Sequence, residues 1–166
     1  MNPNLQYSVE QFLYRNAELC DSQSWDEYLD MFDEESEFHV PQWESEHAYT
    51  SDPKRSMSLI YYTNRSGLED RVYRIRTGKS AASTPMPRTM HQIDNVRIAE
   101  RAGGAAGELE VKVNWSTHHY RFSTAGHFFG YATYHLKPAG DSWKITRKHV
   151  VLLNDTINAV LDFYHL

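Results

Sequence analysis

The first part of the chain carries apolar residues at helical spacing behind three capping boxes. In a capping box, a Ser side chain and a Glu or Gln three residues later satisfy free amides at the start of a helix. The three boxes are Ser8 with Gln11, Ser24 with Glu27, and Ser66 with Glu69. Gly78 follows the third helical pattern at the position where a left-handed residue ends a helix. The pattern therefore predicts three helices before residue 80.

The rest of the chain is rich in β-branched and aromatic residues separated by glycine, proline and asparagine. We predict strands at residues 36–40, 58–63, 88–101, 108–124, 127–137 and 142–153. Their short connections favour antiparallel hairpins, and strands this long twist strongly. Apolar positions change parity within the fourth strand, which predicts a β-bulge at residues 116–119. Helical spacing returns at residues 155–166, which predicts a final helix.

Helices followed by a long antiparallel or mixed meander predict an α+β cone, in which helices pack on a strongly curved sheet. The chain has 166 residues, so residues 1–166 are expected to form a single domain. Its longest aliphatic run, at residues 150–153, is too short for a membrane span. The start, residues 1–6, lacks the basic and apolar parts of a secretory signal. We therefore expect a cytoplasmic protein.

Charge and cysteine content exclude several functions. The formal net charge is −5, which does not match the basic surface of a nucleic-acid-binding protein. The only cysteine is Cys20, whereas a Rieske centre needs two Cys and two His and a ferredoxin cluster needs four Cys. Neither cluster can be held by this chain alone. The glycine-rich nucleotide-binding motifs and the common hydrolase and zinc-protease motifs are also missing from the sequence.

A cone with a pocket would favour a free-standing isomerase or dehydratase, or a small-ligand-binding protein. His118 or His119 could then act as a general base oriented by Asp30 or Asp33. Adjacent strand residues face opposite sides, so only one of the two histidines can point inward. Three further residues are candidates to line such a pocket: Tyr28, His39 and His135.

A metal site is a weaker possibility. His39, Glu44 and His47 have the ligand types of a two-His-one-carboxylate iron site. They extend across Pro41 and an irregular loop, so no helix fixes them on one face. Cys20 lies on the apolar face of the first helical pattern and is interpreted as an unreactive core thiol.

The third predicted helix carries an unusual number of arginines. Arginine pairs with carboxylates in planar, two-point contacts, and aromatic residues are enriched at protein interfaces. One interpretation is a solvated helix face. The other is a subunit interface, for which the candidate residues are Trp43, Tyr62, Arg65, Arg71, Arg74 and Arg76.

Several stretches resemble the small (beta) subunits of aromatic-ring-hydroxylating dioxygenases. They include Ser-Leu-Ile-Tyr-Tyr-Thr-Asn-Arg-Ser-Gly-Leu-Glu-Asp-Arg-Val from residue 58, and Thr-Pro-Met-Pro-Arg-Thr at residues 84–89. Leu-Asp-Phe-Tyr-His-Leu at residues 161–166 also matches. The likeness covers nearly the whole chain and is strongest to the benzoate and anthranilate branch of that family.

The resemblance implies the cone fold of ketosteroid isomerase and scytalone dehydratase, used here as a scaffold. It implies a bacterial α3β3 assembly in which a beta trimer supports large alpha subunits. The alpha subunit is expected to hold a Rieske [2Fe-2S] cluster and a mononuclear Fe(II), and a reductase supplies electrons from NADH. Anthranilate is the expected substrate of the assembly, with benzoate or 2-halobenzoate as alternatives. The resemblance assigns no catalytic, cofactor-binding or metal-binding residue to this chain.

Overall fold

The first helix begins earlier than the sequence pattern predicts. The computed structural model describes residues 2–166, and α1 spans Pro3–Asp21. The side chain of Asn2 accepts hydrogen bonds from two amides of the first turn, and proline occupies the first helical position. The predicted capping box at Ser8 and Gln11 is wrong, because both residues lie inside α1.

The next two helices are present, but their predicted side-chain caps are not. α2 spans Trp25–Asp30 and α3 spans Ser66–Arg76. Ser24 is the N-cap of α2, yet its side chain makes no capping hydrogen bond. The hydroxyl of Ser66 donates instead to the side chain of Asn64, at 2.5 Å. These serines bond to neighbouring side chains and leave the helix amides to other partners.

Six strands form one sheet in the order β2-β1-β6-β5-β4-β3. They are β1 (Phe32–Pro41), β2 (Ser58–Tyr62), β3 (Arg88–Glu100), β4 (Leu109–Arg121), β5 (Thr124–Ala139) and β6 (Ser142–Leu152). β1 and β6 are parallel, and the other neighbours are antiparallel. The predicted mixed sheet is therefore confirmed. β1 starts four residues before the predicted strand, because the acidic residues at its start hide the alternation.

The predicted bulge at residues 116–119 is wrong. The register between β4 and β5 is continuous, and the irregularity lies in β3 beside Asn95, which has φ 52°. Tyr120 and Phe122 caused the apparent change of parity. Both side chains are exposed, at 48% and 70%, so they belong to the outer surface and do not continue the buried face.

The predicted final helix is also wrong. Only a short 3-10 turn forms, at Phe163–His165, while residues 155–160 run without regular structure. The five residues Asp162–Leu166, here called the C-terminal segment, are all buried. Their apolar side chains enter the core, so packing against other elements replaces helical hydrogen bonding.

The core lies between the inner face of the sheet and the helices. Its sheet residues include Phe38, Val111, Val113, Phe128, Leu136 and Ile145, and its helix residues include Val9, Phe12, Leu13, Leu68 and Val72. α1 makes its main contacts with β3 and α2. Among residues 2–166 no helix is both long and apolar enough to cross a bilayer.

A substitution at Gly130 of β5 tests the packing of the sheet. A Cβ atom on Gly130 would overlap the carbonyl oxygen of Val151 in the adjacent strand. We expect Gly130→Ala to lower the free energy of unfolding by about 3 kcal/mol in a urea titration. Gly126→Ala is the matched control on the same strand, because its Cβ would meet only the imidazole of His119, at 2.7 Å. Equal stability of the two variants would contradict the described sheet.

Candidate functional site

Aromatic side chains of the chain itself fill the interior of the cone. The ring of Phe163 lies 5.3 Å from Trp25 and 5.8 Å from Tyr28, and Tyr28 lies 5.1 Å from Phe32, between ring centroids. The remaining interior cavity has a volume of about 10 Å³. A space of this size admits about one water molecule. The interior therefore has no room for a substrate.

The histidine–aspartate pairs that a cone enzyme would need do not form. His118 is exposed on the outer face of β4. His119 points inward, where its ring stacks on Phe128 at 5.0 Å. Asp30 and Asp33 pair with lysines of β6 and β5. The two aspartates and the two histidines thus belong to different local networks.

The other proposed pocket residues are also separated. Tyr28 lies in the core, whereas His39 bonds to Ser58 across the β1–β2 ladder, with 2.9 Å between Nε2 and Oγ. His135 lies beside Glu110, with 3.6 Å between Nε2 and Oε2. No common pocket joins these three side chains.

The proposed iron ligands do not converge. His39 is 1% exposed within β1, while Glu44 and His47 are exposed in the following loop. Within residues 2–166, no group of three or more His, Cys, Asp or Glu side chains is arranged to hold a metal ion. Cys20 is buried, and burial raises the pKa of its thiol to about 12, so the thiol is unreactive near neutral pH.

The structure contains one Asp–His pair that the sequence analysis missed. Asp21, at the end of α1, lies 2.5 Å from Nδ1 of His91 in β3. The same carboxylate accepts hydrogen bonds from the His91 amide and the Thr89 hydroxyl, each at 2.9 Å. Burial opposes ionisation of Asp21, but the hydrogen bonds from His91 outweigh it and lower the pKa. The pair ties α1 to the free edge of β3.

Polar contacts fix the C-terminal segment in the core. Arg71 of α3 pairs with Asp162 through two nitrogens, one of them 3.3 Å from the carboxylate. The amide of Asp162 donates to Nδ1 of His165 at 3.0 Å, and Nζ of Lys148 donates to the Leu166 oxygen at 2.9 Å. The segment is thereby linked to α3 and to the sheet.

The six candidate interface residues divide into two groups. Arg65 donates to the Phe32 carbonyl at 3.0 Å, and Arg71 is committed to Asp162. Arg74 and Arg76 are exposed, and Arg76 contacts Asp26 at 2.9 Å. Arg65 and Arg71 therefore hold the chain's own fold, whereas Arg74 and Arg76 face solvent.

Trp43 and Tyr62 are both half-buried: Trp43 follows the end of β1, and Tyr62 lies opposite Phe38 on β2. The indole of Trp43 donates to the Leu152 carbonyl at 2.7 Å, which fixes the loop after β1. Tyr62 packs against Phe38, with 6.1 Å between ring centroids.

The fold and its filled interior define an α+β cone protein whose core is packed with its own aromatic side chains. The sequence profile described as "Ring hydroxylating beta subunit" matches residues 15–159, and the chain belongs to this family. The predicted resemblance is confirmed.

Three known proteins illustrate the relationship. The chain is 53% identical to the anthranilate 1,2-dioxygenase small subunit of Acinetobacter baylyi, over 100% of both chains. It is 39% identical to the crystallised beta subunit of benzoate 1,2-dioxygenase from Burkholderia mallei, over 95% of each chain, with TM-score 0.77. A candidate scytalone dehydratase of Novosphingobium aromaticivorans shares the fold at 14% identity, over 93% of this chain and 89% of that one, with TM-score 0.65. The predicted cone is confirmed.

The Arg71–Asp162 pair gives a stability prediction. Asp162 is 5% exposed, so removing its partner leaves a buried charge. We expect Arg71→Met to lower the free energy of unfolding by about 3 kcal/mol. The double variant with Asp162→Asn should recover part of this loss, because the buried charge is gone. Arg74→Met is the exposed control. If Arg71→Met leaves the free energy of unfolding unchanged in a denaturant titration, the described role of the pair is contradicted.

Buried histidines predict loss of stability in acid. Burial lowers the pKa of His165 to about 3 and that of His149 to about 4, from 6.5. The unfolded chain therefore binds more protons between pH 6.5 and these values, and stability falls as the pH falls. Each histidine adds up to about 1.4 kcal/mol per pH unit to the slope.

His165→Asn should flatten this slope, since an amide can accept the Asp162 hydrogen bond without titrating. His47→Asn is the control, because the His47 side chain is 87% exposed. Thermal unfolding from pH 7 to pH 4 is the measurement. An unchanged slope in His165→Asn would show that His165 is not held neutral.

Proposed function

We propose that this chain is the non-catalytic small subunit of a bacterial, cytoplasmic anthranilate 1,2-dioxygenase. The assembly would convert anthranilate, O2, NADH and two protons to catechol, CO2, NH3 and NAD⁺. The observation that supports this proposal is the 53% identity to an anthranilate dioxygenase small subunit along the whole chain. Benzoate and 2-halobenzoate are the alternative substrates, and the identity to the benzoate dioxygenase beta subunit is lower, at 39%.

In this proposal the redox chemistry belongs to a partner, the large alpha subunit. That subunit would hold a Rieske [2Fe-2S] cluster and a mononuclear Fe(II), and a reductase would deliver electrons from NADH. A Rieske centre needs two cysteines, and this chain has only Cys20, which is buried against the main-chain oxygen of Tyr164 at 3.9 Å. The ligand set must therefore come from another chain.

The role of this chain would be to hold alpha subunits in an α3β3 ring on a beta trimer. A scaffold needs elements that keep fixed positions when partners bind. The C-terminal segment supports this role, because it connects α3 to β6 through Arg71 and Lys148. The residues 1–166 would act as a single domain in this assembly.

For the subunit interface we propose the outward surface of α3 with the loop that carries Trp43. Arg74 is exposed and has no acidic partner within 4 Å among residues 2–166, so its charge is available to a carboxylate of a partner. Arg76, Tyr62 and Trp43 are the other residues of the proposed interface. Arg65 and Arg71 would contribute indirectly, by fixing the position of α3.

A free-standing isomerase, dehydratase or small-ligand-binding protein is the rival class. Such a protein needs a pocket for its ligand, and the aromatic rings of the core occupy that position. The filled interior thus favours the scaffold over the rival.

The direct experiment is reconstitution. The chain is purified alone and together with a candidate alpha subunit, and oxygen uptake is followed with anthranilate, benzoate and 2-chlorobenzoate in the presence of reductase and NADH. The proposal expects uptake only from the complex, fastest with anthranilate. Oxygen uptake by the isolated chain would refute the scaffold role. Faster uptake with benzoate than with anthranilate would refute the assignment of anthranilate as the substrate.

Arg74→Glu tests the proposed interface. Reversing the charge of an exposed arginine should leave the free energy of unfolding within about 0.5 kcal/mol. If a partner carboxylate contacts Arg74, affinity for the alpha subunit should fall at least about tenfold, equivalent to about 1.4 kcal/mol. The control is Arg97→Glu, an exposed arginine of the opposite edge strand. If both variants co-purify equally well with the alpha subunit, α3 is not part of the interface.

A further inference from the structure

The inner face of β3 and β4 carries three buried polar atoms that have no protein partner. They are Nε2 of His91, Nε1 of Trp115 and Oγ1 of Thr117, out of five such side-chain atoms in residues 2–166. His91 faces Thr117 directly across the ladder, and Trp115 lies two residues further along β4. Buried polar atoms are nearly always hydrogen-bonded, so adjacent exceptions point to a ligand that is shared by those that face one cavity.

Two of these side chains line the interior cavity. His91 and Trp115 meet there with Lys148, Asn16 and Leu166, around a volume of about 10 Å³. The side chain of His91 is 5% exposed, and Trp115 is also 5% exposed. The cavity is lined by apolar side chains together with these polar groups, and a ligand larger than one water molecule does not fit.

The donors and acceptors around the cavity define the chemistry of that ligand. Asp21 accepts a hydrogen bond from Nδ1 of His91, so Nε2 is an acceptor when the ring carries a single proton. The indole of Trp115 is only a donor. Lys148 uses one proton on the Leu166 oxygen and has two more to donate. The ligand must therefore donate one hydrogen bond and accept one or two.

We propose that this cavity binds a single structural water molecule. The water donates to Nε2 of His91 and accepts from Nε1 of Trp115, with Nζ of Lys148 as a second donor. It extends the Asp21–His91 pair into the core and so connects α1 and the edge strand β3 to β6. His91 is then a positioning residue for the β3 edge, a role separate from the proposed dioxygenase function.

The test is a crystal structure of the full chain at a resolution that shows individual waters. We expect a density peak within hydrogen-bonding distance of both His91 Nε2 and Trp115 Nε1. Trp115→Phe removes one donor with little change of shape and should abolish or weaken that peak. A cavity without density, or an indole bonded to a protein acceptor, would overturn the proposal.

A solution measurement keeps the proposal testable if the variant does not fold. In the wild-type chain, the indole N–H of Trp115 should show a cross-relaxation signal from a long-lived water. The indole of Trp43 is the internal control, because it donates to the Leu152 carbonyl. A signal absent at Trp115, or equal at both indoles, would contradict a bound water in this cavity.

Discussion

Arg71 of α3 and Asp162 of the C-terminal segment form an ion pair at the place where the last residues of the chain enter the core. Asp162 is almost fully buried, and its position allows Phe163 to pack against the aromatic rings of α2. Without this contact the segment would expose a charge and several large rings. The shape of the interior therefore depends on one arginine that local sequence patterns assign equally well to solvent or to an interface.

The same contact holds the segment whose rings fill the interior of the cone. A cone fold is shared by proteins with different functions, so its function must be argued from the site and not from the fold. In this chain the rings of Tyr28 and Phe163 fill the interior, and His119 packs against His165 of the C-terminal segment, with 5.3 Å between ring centroids. Aromatic rings that fill the interior leave little space for a ligand and make the core rigid. A rigid core suits a subunit whose partner carries out the chemistry.

The sequence predicted the elements better than their ends. The spacing of hydrophobic residues identified all three helices and all six strands, because each of these elements buries one face over many residues. Caps depend on a single side chain, so Ser8 resembled an N-cap although Asn2 fills that position. The C-terminal segment had helical spacing, but its burial against distant elements determined its conformation.

The site was harder to predict than the fold. Asp21 and His91 are 70 residues apart, and only the contact between α1 and the edge of β3 brings them together. Likewise, the exposed Arg74 and the half-buried Arg71 are three residues apart on one helix and look alike in sequence. The resemblance to the beta-subunit family supplied the functional class. Motifs that match this family along the whole chain carry information that local hydrophobic periodicity lacks.

The central claim is that the cone serves as a scaffold and binds no aromatic acid itself. Calorimetric titration of the purified full chain with anthranilate and with benzoate tests it most directly. The account predicts no saturable heat for either acid. Saturable one-to-one binding that is lost when an inward-facing residue such as Trp115 is replaced would contradict it.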